Sequence, residues 1–465
     1  MAEQLITSER LILQDYISKN KDFPTEVRTL LEPAYDNPVK ESELGIYRQL
    51  DKRKCVTADL EVIEKIVKNG MPIPGFLEAG PRAKLAFKEP GRPQEALRVA
   101  VVTTGGLAPG LNSVVHTIVE RHLKTYRKLV GDGGGVWGFR ESFRGLVEDR
   151  PNWIQLTTDI TEDWLQKGGS ELGAVRYAEL ELEELSRRIA RNLERWEFQI
   201  LYVIGGDGSM TAAHEIAKKA KKTIVVGIPK TMDNDILWVW QSFGFNSAVE
   251  RAAAFINTMH YEVEGTRRVA VLEFFGARAG FVATNAALAS GHVDLVMIPE
   301  VFERMTKTAA RKTLKIYREY LVKTIQRKQE SPHAVIVIAE GVGRVLSELE
   351  VISSGEAERF AESFKDSLKL RNISGDEVAA FSIQPRYYIR AIPANSHDQI
   401  YCKRLGALAV DNALAGFTDF MISQWLTEYV LVPLKLVARG QKHVPPGGIF
   451  WKQVVASTGQ PTISS

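Results

Sequence analysis

The sequence predicts an α/β protein of two domains built on mostly parallel sheets, preceded by an N-terminal extension. Three observations point there. The chain has 465 residues, too many for one small domain. Short apolar, β-branched runs recur without the polar alternation of a half-exposed strand, as parallel strands buried on both faces do. Each run ends in a glycine-rich or polar turn and leads into a helical pattern.

Residues 1–96 form the extension. Short helical patterns there are broken by Pro24, Pro33 and Pro38, then by the loop Gly70 to Gly75 and the breaks at Pro90 and Pro93. It is expected to wrap or cover the main body. The regular grammar starts at Leu97. Arg98 to Thr103 reads as a strand that ends in Thr104-Gly105-Gly106, with a helical pattern from Leu111. After an amphipathic helix over Glu179 to Trp196, Gln199 to Ile204 reads as a strand, Gly205 to Gly208 as a turn and Met210 to Lys222 as a helix. Thr223 to Pro229, Arg268 to Phe274 and Ala334 to Ala339 supply further strands. The basic stretch Lys307 to Lys328 interleaves Leu314, Tyr317, Leu321 and Ile325, the pattern of an amphipathic helix with a solvated face rather than a polyanion site.

Composition narrows the function. With 45% hydrophobic and 25% charged residues the chain has an ordinary globular balance. A net charge of +3 gives no reason to expect nucleic acid or an anionic membrane as partner. Cys55 and Cys402 are the two cysteines, and their separation disfavours a disulfide scaffold, an iron–sulfur centre or a structural zinc site built on thiolates. The first residues lack the basic head and apolar run of a signal peptide, so a cytoplasmic protein is expected.

Ligands of open parallel sheets bind beyond the carboxyl ends of the strands. Three strands end there in unusual turns. Gly105-Gly106-Leu107-Ala108-Pro109-Gly110 lets backbone approach a phosphate closely, with a helix N-terminus behind it; tight packing is the alternative. Gly206-Asp207-Gly208-Ser209 sets a carboxylate among glycines, where Mg²⁺ bridging phosphate oxygens would partner it; a helix N-cap is the alternative. Lys230-Thr231-Met232-Asp233-Asn234-Asp235 spaces two acids beside a hydroxyl and an amine. That suits activation of an acceptor hydroxyl, the alternative being an Asx-rich turn.

Together these three loops resemble the phosphofructokinase family, which carries G-G-x-x-P-G-x-N, G-G-D-G-S and T-x-D-x-D in this order. The resemblance runs over about residues 97–461 and continues in Gly168 to Arg176, in Ala339-Glu340-Gly341, in Tyr387 to Asn395 and in Thr458 to Pro461. It is nearest to the plant-type and trypanosomatid ATP-dependent branch. It implies two Rossmann-like three-layer domains, a nucleotide-binding one over 97–245 and 391–430 and a sugar-phosphate-binding one over 246–390 and 431–465. It also implies Asp233 as general base, Asp207 as the Mg²⁺ ligand, and Asp235, Thr231 and Lys230 beside the transferred group. Gly105, Gly206, Gly208, Ser209 and Arg176 would hold nucleotide phosphates. Arg268, Phe275, Gly276, Glu340, Tyr387 and Arg390 would bind the sugar phosphate, Arg268 often across a subunit interface. A homodimer or homotetramer is the implied assembly.

A side chain after Asp207 would project where the α-phosphate sits, so Gly208 favours ATP over pyrophosphate as donor. Lys230 is typical of pyrophosphate users, yet the glycine–lysine pair also occurs in the plant-type ATP branch. The chain departs from the family at Phe275-Gly276-Ala277, where Met-Gly-Arg is usual, and at Phe381, where a cation is usual. Arg278 and Arg386 are the candidate compensations. Fructose 6-phosphate is the expected acceptor. A different sugar acceptor, and a non-catalytic nucleotide-binding homologue, stay open.

Overall fold

The computed structural model describes residues 7–463. Its larger sheet holds nine strands among the described residues. From one edge they run Arg53–Cys55, Gly75–Glu78, Glu428–Pro433, Phe420–Trp425, Ile224–Pro229, Ile200–Gly205, Arg98–Thr103, Gly135–Phe139 and Trp153–Leu156. The five from Phe420–Trp425 to Gly135–Phe139 are parallel, and antiparallel strands close both edges. The smaller sheet is wholly parallel, in the order Leu295–Met297, Ala334–Ala339, Val269–Phe274, Ala380–Ile383.

Side chains alternate across the larger sheet, and each face meets its own core. Ala100, Val102, Leu201 and Val203 pack on one side, and Val99, Val101, Ile200 and Tyr202 on the other. Helices cover both faces, which is why the central strands read as unbroken apolar runs. The third core surrounds the smaller sheet, and there the helix Lys307–Arg327 buries Leu314, Tyr317, Leu321 and Ile325 while its charges face water. Fully burying such a leucine contributes about 2–3 kcal/mol. No helix of the described residues is long and apolar enough to cross a membrane.

The extension is woven into the body. Its strands Arg53–Cys55 and Gly75–Glu78 lengthen the larger sheet, and Arg28–Thr29 pairs with Phe417–Thr418. A boundary at 430 falls inside Glu428–Pro433, which pairs along its whole length with Phe420–Trp425 and so stays with the larger sheet. Gly75–Glu78 carries no glycine-rich turn or buried run long enough to announce a strand; pairing with a distant edge makes it one.

Candidate active site

The carboxyl ends of both parallel sheets face each other across a cleft of about 720 Å³. From the larger sheet come the loops after Thr103, Gly205 and Pro229, and from the smaller sheet those after Phe274 and Ala339. Gly105, Arg176, Gly206, Asp207, Gly208 and Ser209 line one wall. Lys230, Thr231, Asp233 and Asp235 form the floor, and Phe275, Glu340 and Arg390 the opposite wall.

The glycines do different jobs. Gly105 has φ +84°, a left-handed conformation that L side chains rarely adopt. A Cβ at Gly205 would lie 2.4 Å from Ser209 Cβ, so that glycine serves packing. A Cβ at Gly208 would meet nothing within 4 Å. Its side chain is missing where only the open cleft would receive one. The segment ending at Arg176 is tied to the first strand end, since Thr103 Oγ1 donates to the Gly173 carbonyl at 2.7 Å.

Asp207 is the first residue of the helix Asp207–Lys219, whose N-cap is Gly206, and no side chain caps this helix end. The carboxylate is therefore free for the cleft, and its Oδ2 accepts from Gln441 Nε2 at 2.7 Å. The same amide nitrogen donates to Asp235 Oδ2 at 3.2 Å. Thr231 Oγ1 donates to Asp235 Oδ1 at 3.2 Å and accepts from the Asp233 amide at 3.0 Å. Lys230 donates to the Gly106 carbonyl, joining the first and third loops. Asn234, with φ +55°, is the structural member of the turn: its Oδ1 accepts from the Ser242 amide and from Lys442 Nζ.

Asp233 is different from its neighbours. Its Oδ1 is buried and has no hydrogen-bond partner. Desolvation, then the charges of Asp235 and Glu340, push its carboxyl well above the usual range. Asp235 is also raised, by desolvation and by the charge of Asp207. Burial lowers Lys230 to about 8, against the opposing pull of Asp233. Three carboxylates thus converge where one neutral amide bridges two of them, with Lys230, Arg390 and Lys442 as the cations whose charge opposes theirs.

On the opposite wall the Arg390 guanidinium lies 4.7 Å from the Phe275 ring centroid and 5.3 Å from that of Tyr387. Tyr387 is 71% exposed, does not line the cleft, and meets the Phe275 ring edge-on with centroids 6.1 Å apart. Gly276 sits between two lining residues, and its carbonyl accepts from the Ala279 amide at 2.7 Å. Arg386 donates to Glu273 and stands 3.8 Å from Glu340. Phe381 packs against the core of the smaller sheet. Arg278 lines the cleft and is paired with Glu348. Arg268 is not brought to the cleft: it is exposed and precedes Val269–Phe274, so it lies at the opposite end of that strand.

Three contributors were missed by sequence reasoning. Arg344 lines the cleft from the helix Gly341–Glu348. Gln441 bridges the carboxylates, and the Lys442 amide donates to the Asp235 carbonyl at 2.7 Å. Gln441 and Lys442 stand more than 200 residues from the loop they brace, in a stretch with no motif. For Arg344 the available signal was its place one turn after Glu340.

Glycine loops and carboxylates facing each other between two parallel-sheet halves define an α/β phosphotransferase. The phosphofructokinase family model matches residues 98–413, and the chain belongs to that family. It is 36% identical over 400 residues to an ATP-dependent 6-phosphofructokinase of Borreliella burgdorferi, covering 83% of this chain and 85% of that one. To ATP-dependent 6-phosphofructokinase 7 of Arabidopsis thaliana it is 30% identical, covering 97% and 89%. The fold matches a pyrophosphate-dependent phosphofructokinase of Marinobacter aquaeolei with TM-score 0.57 at 18% identity, over 79% of this chain and 92% of that one. It also matches phosphofructokinase of Saccharomyces cerevisiae with TM-score 0.57 at 21% identity, over 78% of this chain and about half, 47%, of the yeast chain.

Proposed function

We propose that this enzyme transfers the γ-phosphoryl group of ATP to the 1-hydroxyl of fructose 6-phosphate. The observation that carries the reading is Asp233: a cleft-facing carboxylate with a buried, unpartnered oxygen, between the phosphate-type loops and the Glu340–Arg390 wall. Asp233 takes the proton of the attacking hydroxyl as the oxygen–phosphorus bond forms. Raised affinity for that proton suits a base acting near neutral pH. Asp235, held by Thr231, keeps Asp233 and the acceptor aligned.

The donor set fits Mg²⁺. Asp207 and Asp235 share the neutral donor Gln441, neither is in a salt bridge among the described residues, and Asp207 would be the ligand. Bound there, Mg²⁺ supplies positive charge to the phosphate oxygens during transfer. The chain adds its own cations. Arg176, Arg344 and Arg390 line the cleft with no carboxylate partner among the described residues, whereas Arg278 and Arg386 are already paired. Arg344 therefore takes the electrostatic place that Ala277 leaves empty.

ATP as donor rests on Gly208 and on the ATP-dependent relatives. The nucleotide would lie on the larger-sheet side and the sugar phosphate on the smaller-sheet side. Arg268, exposed at the far end of its strand, serves a second subunit's site in a cytoplasmic homo-oligomer. A second reading, a less phosphorylated acceptor, is favoured by the prior pairing of Arg386 and Arg278. The test is a turnover matrix of ATP and pyrophosphate against several sugars and sugar phosphates. Dominant ATP and fructose 6-phosphate turnover is expected. Preference for another acceptor selects the second reading, and no turnover with any pair overturns both.

A further inference from the structure

At the end of the smaller sheet remote from the cleft, three imidazoles and a carboxylate gather. His260 and Glu264 stand one turn apart on the helix Phe245–Thr266, so they share a face. His333 directly precedes the strand Ala334–Ala339 and is only 6% exposed. Ligand atoms of these three all lie within 4.8 Å of one another. His292 stacks on His260, with ring centroids 4.0 Å apart and planes 12° from parallel. Salt bridges hold none of the four among the described residues.

The cluster is oriented like a ligand set. His333 Nδ1 lies 2.7 Å from the Ser331 carbonyl, which can only accept, so the proton is on Nδ1 and the lone pair on Nε2. Such a carbonyl contact is the usual way a metal-binding imidazole is fixed in tautomer and angle. Ser331 Oγ in turn donates to the Glu264 carbonyl at 2.6 Å, joining the two elements that carry the ligands. On the helix side, Ser290 Oγ donates to Asn257 Oδ1 at 2.7 Å and accepts from the His292 amide at 3.3 Å, which holds His292 over His260. Packed apolar surface would not need these polar contacts, and stacked imidazoles gain little from one another unless they are neutral.

We propose that His260, Glu264 and His333 form a binding site for a divalent transition ion of the zinc class. Two imidazole nitrogens and one carboxylate oxygen are the donors such ions prefer, water completing four-coordination while His292 stacks on His260 from outside the ligand set. Mg²⁺, which demands oxygen ligands, would not compete. The strand Ala334–Ala339 separates this site from the cleft by about 20 Å at ~3.3 Å per residue. Its ion would clamp the helix Phe245–Thr266 to the sheet.

The test titrates the full chain with Co²⁺ in excess Mg²⁺ and ATP, reading the d–d absorption of a four-coordinate ion. Wild type is expected to take up one equivalent, displaced by Zn²⁺, and Zn²⁺ is expected to raise its Tm. Glu264→Gln, on an exposed position, and His260→Asn should each weaken uptake tenfold or more, on the order seen for metal-site changes. Asp207→Asn should leave uptake unchanged. No uptake by wild type, unaltered uptake in both site variants, or loss only in Asp207→Asn would each overturn the proposal.

Discussion

At the residue scale, side chains that are absent shape the cleft as much as those present. Gly208 borders open cleft rather than packed protein. Gly208→Asp should therefore fold normally and yet abolish ATP turnover, because a carboxylate would occupy the donor's phosphates. Steady-state rates beside a native circular dichroism spectrum check this; unchanged ATP kinetics would refute the placement of the loop. Asp233 gives a pH expectation. Its carboxyl is raised by desolvation first, then by Asp235, and the base must be ionised. Activity should then be present above the raised pKa and lost as pH falls through it. A profile of kcat/KM against pH should show its acid limb well above the ordinary carboxylate range of about 4. A limb at that ordinary value would mean a different base.

At the element scale, most of what was legible sat at strand ends. Arg98–Thr103, Ile200–Gly205 and Ile224–Pro229 were readable because buried parallel strands need continuous apolar runs, and their loops because glycine and aspartate have few reasons to follow a strand together. The braces beneath the loop Lys230 to Asp235 were not readable. Lys442 Nζ donates to Asn234 Oδ1 and to the Val239 carbonyl, and Glu9 accepts from the Trp238 amide at 3.0 Å. These pairs lie 200 residues or more apart in sequence, and a lone Glu or Lys carries no pattern that announces a buried partner. Trp238 has φ +61°, a strained conformation for an aromatic residue, just after that loop. The helix Thr7–Ser18 thus supports the turn through Glu9. Glu9→Ala should cost about 1–3 kcal/mol, the penalty for an orphaned buried amide. Glu9→Gln, which keeps the acceptor, should cost less. Denaturant unfolding distinguishes them, and equal loss in both would remove this role.

At the scale of the whole molecule, two parallel sheets point their carboxyl ends at one cleft; the extension packs on the larger sheet, and the C-terminal segment bonds to both sides, Gln441 to Asp235 and the Val444 amide to Glu300. Acid should loosen that structure through His122, fully buried in the helical turn Arg121–Thr125 that continues the helix Leu111–Glu120, with Nε2 3.0 Å from the hydroxyl of Tyr202 on the larger sheet. Desolvation, then Arg121, lowers this imidazole to about 3. The unfolded chain binds the proton from about 6.5 downward while the folded chain does not, so stability falls as pH drops below that value. By about pH 5 the loss should be near 2 kcal/mol. His122→Gln should flatten this slope in unfolding measured at several pH values, and an unchanged slope would assign acid sensitivity elsewhere. Arg268 shows what one chain's sequence and fold leave unjoined: its motif position was readable, but its strand carries it away from the cleft.

The central claim is that Asp233 is the base of a phosphoryl-transfer site, and Asp233→Asn tests it most directly. The substitution keeps shape and removes the negative charge. Turnover with ATP and fructose 6-phosphate should fall by about 10²–10⁴, while the dissociation constant for Mg·ATP stays within a few-fold of wild type. A variant that turns over at the wild-type rate, or one whose whole defect is weaker nucleotide binding, would contradict the assignment.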